Sequence, residues 1–306
     1  MADLELEVTE EDDGVRLDVF LVRRVPSLSR ARAKALVAGG GVRIEGRLAK
    51  KSHLVASGDR VLVDSLPGPA DFYADPDPTL DLRVLRETDD YVIVDKPVGV
   101  PTHPLAAHEH GTLAGALVAR YPEMRDVGYR KREPGLVHRL DTDTSGVVLA
   151  ARNQRSFEQL RDALRAGHIE KRYLARCAGA VDAPQIIDAP IGNDPRDRRR
   201  VRVCTDPREI KRLGAQPAWT EVLDSVQARE SSLVEVRANH ARRHQVRAHL
   251  AWIGHPLLGD TLYGGPELDA PKHHLLHAVS IAVEGVETRS SGWKYEDFGS
   301  LERVVD

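Results

Sequence analysis

The chain has 306 residues, 41% of them hydrophobic and 30% charged, with a formal net charge of −3. This is the make-up of a globular protein with room for one large domain, or for one large and one small. No apolar run approaches the roughly 18–20 residues of a membrane span, the acidic start reads as neither a signal nor a transit peptide, and Cys177 and Cys204, in no CxxC pair, exclude a disulfide framework.

The mild negative total hides an uneven distribution. Residues 1–13 hold Asp3, Glu5, Glu7, Glu10, Glu11, Asp12 and Asp13 with no base and read as an acidic tail, so the remainder is net positive. From Arg16 to Arg60 the basic residues far outnumber Asp18, Glu45 and Asp59. Leu17, Phe20, Leu21 and Val25 have helical spacing, and Ser29 is placed to cap a second helix that carries Ala31, Ala35, Leu36 and Ala38 and ends at Gly39-Gly40-Gly41. Val42-Arg43-Ile44 and Arg60-Val61-Leu62-Val63 alternate as strands, the first closing on a Glu45-Gly46 turn. Basic side chains cluster on the second helix (Arg30, Arg32, Lys34) and around the hairpin (Arg43, Arg47, Lys50, Lys51). A charge run is by default a solvated face. Over Arg16-Leu17-Asp18, Ser29-Arg30 and Val42 to Gly46, however, the segment resembles an S4 RNA-binding domain. The resemblance implies a surface that grips folded RNA through phosphates and shape.

Residues 66–81 carry four prolines and four aspartates and read as an interdomain linker. Leu82 to Glu87 and Tyr91 to Asp95 form an expected hairpin around Thr88-Asp89-Asp90, leading into the proline-rich loop Lys96 to Pro104. His103, His108 and His110 lack the spacing of a helical or cysteine-paired zinc site, and no metal is expected there. Thr112 caps a helix over Leu113 to Tyr121.

The most informative stretch follows. Leu136-Val137 and Val147 to Ala150 read as two buried strands displaying the polar loop His138-Arg139-Leu140-Asp141-Thr142-Asp143-Thr144-Ser145-Gly146. Composition alone allows a plain turn. The order of residues does more: the loop looks like the signature of the RluA/RluD-type pseudouridine synthases. The resemblance implies that Asp141 is the catalytic aspartate of an enzyme that isomerises uridine in RNA and that Arg139 fills the stack left by a flipped nucleotide. His138 is read as structural. The Lys96-Pro97-Val98-Gly99 run resembles the family's segment near the active site, which gives Lys96 a structural or RNA-facing role.

Asn153 caps an expected helix over Gln154 to Ala166, ended by Gly167, with Phe157, Leu160 and Leu164 buried and Arg155, Arg161 and Arg165 solvated. The strand Glu170 to Arg176 matches the family's second motif and contributes Tyr173, which the resemblance places against Asp141 to stack on a flipped uracil or exchange a proton with it. Residues 194–212 include Arg196, Arg198, Arg199, Arg200, Arg202, Arg208, Lys211 and Arg212; a loop this basic is a solvated arm or an RNA contact, and contact is the favoured reading. Ser232 to Arg237 alternates as a strand and runs into Asn239 to Leu250, where Val246, Leu250 and Ile253 share a helical face and Arg243 and Arg247 another. This stretch resembles the third motif, with Arg247 as the arginine that pairs with the aspartate; Ala241 and Arg243 stand where the family more often has Gly and Thr. Gly254 to Gly264 also fits the family, and Leu275 to Ala278 begins a late strand.

The resemblance implies an α/β (α+β) catalytic domain around a central, mainly antiparallel mixed sheet, preceded by the S4 module. The expected divisions are 1–13 tail, 14–66 S4-like domain, 67–81 linker, 82–290 catalytic domain and 291–306 C-terminal tail. Isomerisation involves no redox change, so no cofactor is expected. Large-subunit ribosomal RNA is the expected partner and substrate, with tRNA and a catalytically dead S4-type assembly protein as alternatives. A glycosidase would need two acids on opposite sides of the scissile bond, whereas Asp141 and Asp143 share one loop. A cytoplasmic monomer is expected.

Overall fold

The structure, a computed structural model, describes residues 4–25, 28, 30–50, 52–63, 72–239 and 242–290. They gather into two compact units, one within residues 4–63 and one within 72–290. The smaller contains β1 (Leu4–Glu7), α1 (Leu17–Arg24), α2 (Arg30–Ala38), β2 (Val42–Ile44), β3 (Arg47–Leu48) and β4 (Arg60–Val63). Its strands form an antiparallel sheet in the order β1-β4-β2-β3. Leu17, Phe20 and Leu21 of α1 and Ala33 and Val37 of α2 pack on Val42, Ile44, Val61 and Val63, closing a small core of its own. The Ser29 cap and Lys51 lie outside the described residues.

Most of the acidic stretch is not a tail. Leu4-Glu5-Leu6-Glu7 alternates with a period of two, and as β1 it pairs with β4 and rests Leu4 and Leu6 on the core. Asp12 is buried and takes hydrogen bonds from Arg23 (3.0 Å) and Arg24 (2.8 Å). Counting charge hid the alternation.

The larger unit runs β5 (Arg83–Glu87), β6 (Tyr91–Lys96), α3 (Leu113–Arg120), β7 (Ser145–Ala151), α4 (Gln154–Arg165), β8 (Glu170–Ala178), β9 (Gln185–Asp188), β10 (Ile191–Asn193), β11 (Val201–Val203), α5 (Pro207–Leu213), β12 (Trp219–Ala228), β13 (Ser231–Arg237), α6 (Gln245–Trp252), β14 (Leu276–Val283) and β15 (Val286–Arg289). Nine of these strands make one sheet, β5-β6-β7-β14-β8-β13-β12-β9, with β15 also on β14. Every pairing is antiparallel except β7 with β14. The sheet is covered on both faces, which is why β6 and β7 read as continuous apolar runs. Val92, Val94, Val148 and Ala150 pack with α3 residues Leu113 and Leu117, whereas Tyr91, Ile93, Leu149 and Ala151 pack with Phe157, Leu160 and Leu164 of α4. Thr112 and Asn153 cap those helices through their side chains, accepting from Gly115 N and Ser156 N.

Several expectations are corrected here. The linker does not extend to 81: by Phe72 the chain is on the larger unit, where Ala74 is buried and the Asp77 carboxylate accepts from Gly111 N (2.7 Å) and Thr79 N (3.0 Å). Leu136-Val137 is not a strand but one bridge to Ala150. Arg161 is not solvated; it is half-buried and donates to Val137 O at 2.9 Å. The basic segment 194–212 is not a bare loop, because β10 and β11 pair across it and α5 follows. The helix of the third motif starts only at Gln245, since His244 sits at φ 52° and breaks the turn before it, so Arg243 does not share its face with Arg247. Residues 291–306 and Ala241 lie outside the described residues.

Candidate active site

The polar loop leaves the apolar sheet through β7, and its exit depends on one glycine. Gly146 faces Ala278 of β14 across the parallel join; a Cβ there would lie 2.1 Å from Ala278 O, and its φ is +110°. Side chains then fix the loop residue by residue. Leu149 N–H donates to His138 Nε2 at 3.1 Å, so buried His138 is an acceptor at that nitrogen, and burial, then nearby Lys171, push its pKa down to about 3. Thr102 Oγ1 donates to Leu140 O (2.6 Å) and accepts from Leu140 N (3.2 Å). Thr144 Oγ1 meets His274 Nε2, and Ser145 Oγ meets His277 Nδ1, both at 2.8 Å. Lys96 is fully buried and donates to the carbonyls of Pro97 (2.9 Å), Val100 (2.7 Å) and Thr142 (2.9 Å). It ties two loops together and presents nothing to solvent.

Held this way, Asp141 presents one carboxylate oxygen to Arg247 of α6, Oδ2 to Nη1 at 2.8 Å. Arg247 is in turn gripped from behind: Nε and Nη2 donate to the two oxygens of buried Asp260 at 2.7 and 2.8 Å. Its guanidinium also lies 5.2 Å from the Tyr263 ring centroid. A planar guanidinium clamped on two edges has one orientation left. Burial pulls its pKa down, but the bonds and charges of Asp260 and Asp141 more than offset this and hold it fully charged.

Burial alone would raise the pKa of Asp141; the charges of His244 and Arg247 and the Arg247 hydrogen bond bring it below the ordinary value. His244 Nε2 is 3.7 Å from Asp141 Oδ2. Burial pushes His244 itself down to about 4, so it is neutral at pH 7 and Arg247 carries the stabilisation there. The tautomer follows from the neighbours: Val201 N–H donates to Tyr263 Oη (2.9 Å), leaving the phenol proton for His244 Nδ1 (3.0 Å) and a proton on Nε2 toward Asp141.

Asp141, Tyr173 and Arg247 line one narrow pocket of about 60 Å³, with Arg139, Lys171 and Leu276 among the other walls. Tyr173 and Lys171 alternate inward on β8, whose partners are β13 and β14. Burial, and then the Asp141 charge, raise the Tyr173 phenol well above its usual range. It keeps its proton, which leaves it a hydrogen-bond donor and not a base. Burial lowers the Lys171 ammonium to about 7. Lys171, His244, Asp260 and Tyr263 were not assigned roles from the sequence. Asp260 had a signal in the Gly259-Asp260-Thr261-Leu262-Tyr263-Gly264 run: Gly259 has φ +78° and a Cβ there would meet His273 O at 2.1 Å, so the turn is tightly set.

The residues expected to contact RNA fall into separate places. Arg30 and Lys34 share a face of α2 and lie 3.4 and 4.0 Å from Asp18, with their side chains exposed; Arg32 is on the same helix and Arg43 is half-buried on β2. Lys50 is exposed. In the larger unit Arg198 and Arg199 are exposed at the tip of the β10–β11 hairpin, Arg199 pairing with Asp197, whereas half-buried Arg200 lies 5.2 Å from the Tyr263 centroid. Arg243, in the pocket wall, donates to Arg198 O (3.1 Å) and Arg200 O (2.6 Å) and so hangs that hairpin beside the pocket. Exposed Arg139 lines the pocket, 3.4 Å from His103 Nε2.

Comparison with known proteins gives the same direction. The model of the RNA pseudouridylate synthase family matches residues 90–252, and that of the S4 domain matches residues 15–61. The chain is 36% identical to an uncharacterized RNA pseudouridine synthase of Chloroflexus aurantiacus, over 91% of this chain and 84% of that one. It is 32% identical to the ribosomal large subunit pseudouridine synthase D of Xanthomonas campestris, over 96% and 90%. Among solved structures it resembles human RNA pseudouridylate synthase domain containing 1, with a TM-score of 0.53 and 25% identity, over 69% of this chain and 83% of that one.

Proposed function

This chain belongs to the RNA pseudouridylate synthase family and carries an S4 domain, and from that premise we propose that Asp141 is the carboxylate on which its isomerisation of uridine turns. The observation that carries this is the Asp141–Arg247 contact at 2.8 Å, backed by the two-point grip of Asp260 on the same guanidinium. Pseudouridine forms when the N1–C1′ bond breaks, the uracil turns, C5 bonds to C1′, and the C5 proton is lost while N1 gains one. Attack on C1′, addition to the base and abstraction at C2′ each begin from an ionised carboxylate held close to the nucleoside. A guanidinium about 4 Å away at an effective dielectric of about 20 contributes on the order of 4 kcal/mol toward keeping it ionised, before desolvation. Tyr173 supplies a ring for the uracil and a phenol proton to donate. In this conformation the pocket, about 60 Å³, is too small for a nucleoside; the base enters as side chains at its mouth, exposed Arg139 foremost, swing aside, and Arg139 then fills the gap left in the RNA stack.

The substrate we assign is large-subunit ribosomal RNA, supported by the name of the Xanthomonas campestris relative and its coverage of both chains. The S4-like region, about residues 14–66, supplies grip through Arg30, Arg32, Lys34, Arg43, Lys50 and Lys51, and the larger unit supplies the chemistry, with Arg198, Arg199 and Arg200 beside its pocket. Among the described residues no helix is long and apolar enough to cross a membrane, and we place the protein in the cytoplasm as a monomer. The test is release of tritium from 5-tritiated uridine in transcribed ribosomal RNA. Asp141→Asn abolishes release; release that survives the substitution refutes the role of Asp141. Mapping pseudouridines in large-subunit RNA and in tRNA incubated with the enzyme decides between the two substrates.

A further inference from the structure

Sharing Arg139 with the Asp141 pocket is a second concavity of about 490 Å³ that the isomerisation does not use. His103, Tyr129, Glu133, Arg139, Phe157 and Arg161 are among its walls, and Arg139 lines both hollows. We infer that this cleft is a second nucleotide subsite, taking a base that flanks the target uridine and bears an exocyclic amino group. The inference rests on the reading of the protein as an enzyme acting on uridine in RNA.

The cleft offers the parts of a nucleotide in separate places. Tyr129 is 60% exposed, yet its ring is held edge-to-face on buried Phe157, centroids 5.0 Å apart at 86°. The loop bearing it is tied at several points: Gly128 N donates to Gln154 Oε1 (2.8 Å), Glu133 N to Arg130 O (2.9 Å) and Gly135 N to Val127 O (2.8 Å). A large aromatic kept outside the core and fixed in orientation is a stacking platform, since every base has a π face. Beside it the Glu133 carboxylate lies 3.2 Å from Arg130 Nη1 and 3.3 Å from His103 Nε2, and Arg139 Nη1 is 3.4 Å from that same imidazole nitrogen. A carboxylate has acceptor sites beyond those two contacts, and it accepts from the amino group of cytosine, adenine or guanine but finds no such donor on uracil. Arg130 offsets its charge and presents a cation to a phosphate. An apolar peptide or a small hydrophobic ligand would have no use for this mixture of acceptor and cations.

The position of the cleft supports the same conclusion. His138 and Arg139, three and two residues before Asp141 in the chain, line it, and Arg139, which also lines the Asp141 pocket, is the residue assigned to the vacated stack. A base docked on Tyr129 would hold the RNA strand next to the point where the uridine leaves it.

The test uses the full chain and transcribed large-subunit ribosomal RNA. In the Asp141→Asn background, where binding is read without turnover, Tyr129→Ala lowers RNA affinity on the order of tenfold and Tyr129→Phe keeps it. In the active enzyme Tyr129→Ala raises KM by a similar factor with kcat retained. Glu133→Gln narrows the preference between transcripts carrying cytosine or adenine and those carrying uracil at the flanking position. If Tyr129→Ala binds and turns over RNA as the parent does, the subsite is rejected and the isomerase reading stands. If the parent enzyme releases no tritium from any RNA, the isomerase reading fails, and the affinity pair in the Asp141→Asn background still judges the cleft by itself.

Discussion

Asp18 and Asp141 are each paired with cations, and they behave differently. Asp18, in the small unit, is buried itself, but its partners Arg16, Arg30 and Lys34 keep 49%, 62% and 55% of their side chains exposed. Asp141, half-buried, meets an arginine that is only 8% exposed and is locked from behind by a fully buried carboxylate. Both have pKa values below the ordinary one in spite of burial, which opposes ionisation in each. Proximity to arginine therefore does not separate them; the freedom of the arginine does. The cations around Asp18 are screened by water and can be shared with an RNA phosphate. The one at Asp141 is held from behind by Asp260 and cannot turn away, and it fixes a carboxylate in place.

The contrast is broken most severely by Asp141→Asn, which reduces pseudouridine formation by about 10³-fold or more, read as tritium release, while RNA binding stays near that of the parent. Equal losses in affinity and turnover would assign Asp141 to binding instead. Next comes Asp260→Ala, which leaves Arg247 clamped on one side only. It costs up to about 3 kcal/mol of stability, because the buried guanidinium loses one of its two carboxylates, and at a temperature where the fold holds it lowers kcat by up to about 10²-fold through misplacement of the guanidinium. Unchanged kcat in a folded Asp260→Ala protein would show that the clamp does not matter.

The small unit gives smaller effects. Arg30→Ala with Lys34→Ala weakens RNA binding several-fold and flattens the dependence of log K on log salt by about one to two, with kcat unmoved; Asp18→Asn, which releases the same cations, shifts affinity the other way. A salt dependence identical to the parent's would remove α2 from the RNA contact.

The smallest effect is on stability against pH. Burial pushes His138 down to about 3 and His244 and His274 down to about 4, whereas in the unfolded chain each takes its proton near pH 6.5. Between those limits the unfolded state binds more protons, so their contribution is complete above about pH 6.5, falls as the pH is lowered toward 4, and is gone below about 3. Melting temperature across that window measures it, and His274→Gln removes part of the slope; a melting temperature that rises on acidification would contradict the burial of these rings.

The caps Thr112 and Asn153, the apolar stripe of α4 and the alternation of β13 were legible in the sequence because each depends on neighbours within a few residues. The candidate site was legible as three separate motifs. What was misread or left open shares one cause. The sequence left Lys96 between a structural and an RNA-facing role; it is buried and held by three carbonyls, one of them 46 residues away. Arg161, on the polar face of its helix, is drawn in by Val137 O. The β10–β11 hairpin is so rich in arginine that composition hides its strands, and it is held by Arg243, which lies 43 residues beyond Arg200.

By itself, then, the sequence marked the candidate residues of the site and the local elements that bear them, since motifs, caps, turns and periodicity act over one or two turns of chain. Only the tertiary structure decided which charges are locked and which are free. The Asp141–Arg247 pair spans 106 residues and the Thr144–His274 bond 130, and the burial that makes such contacts strong does not exist until the sheet has closed around them.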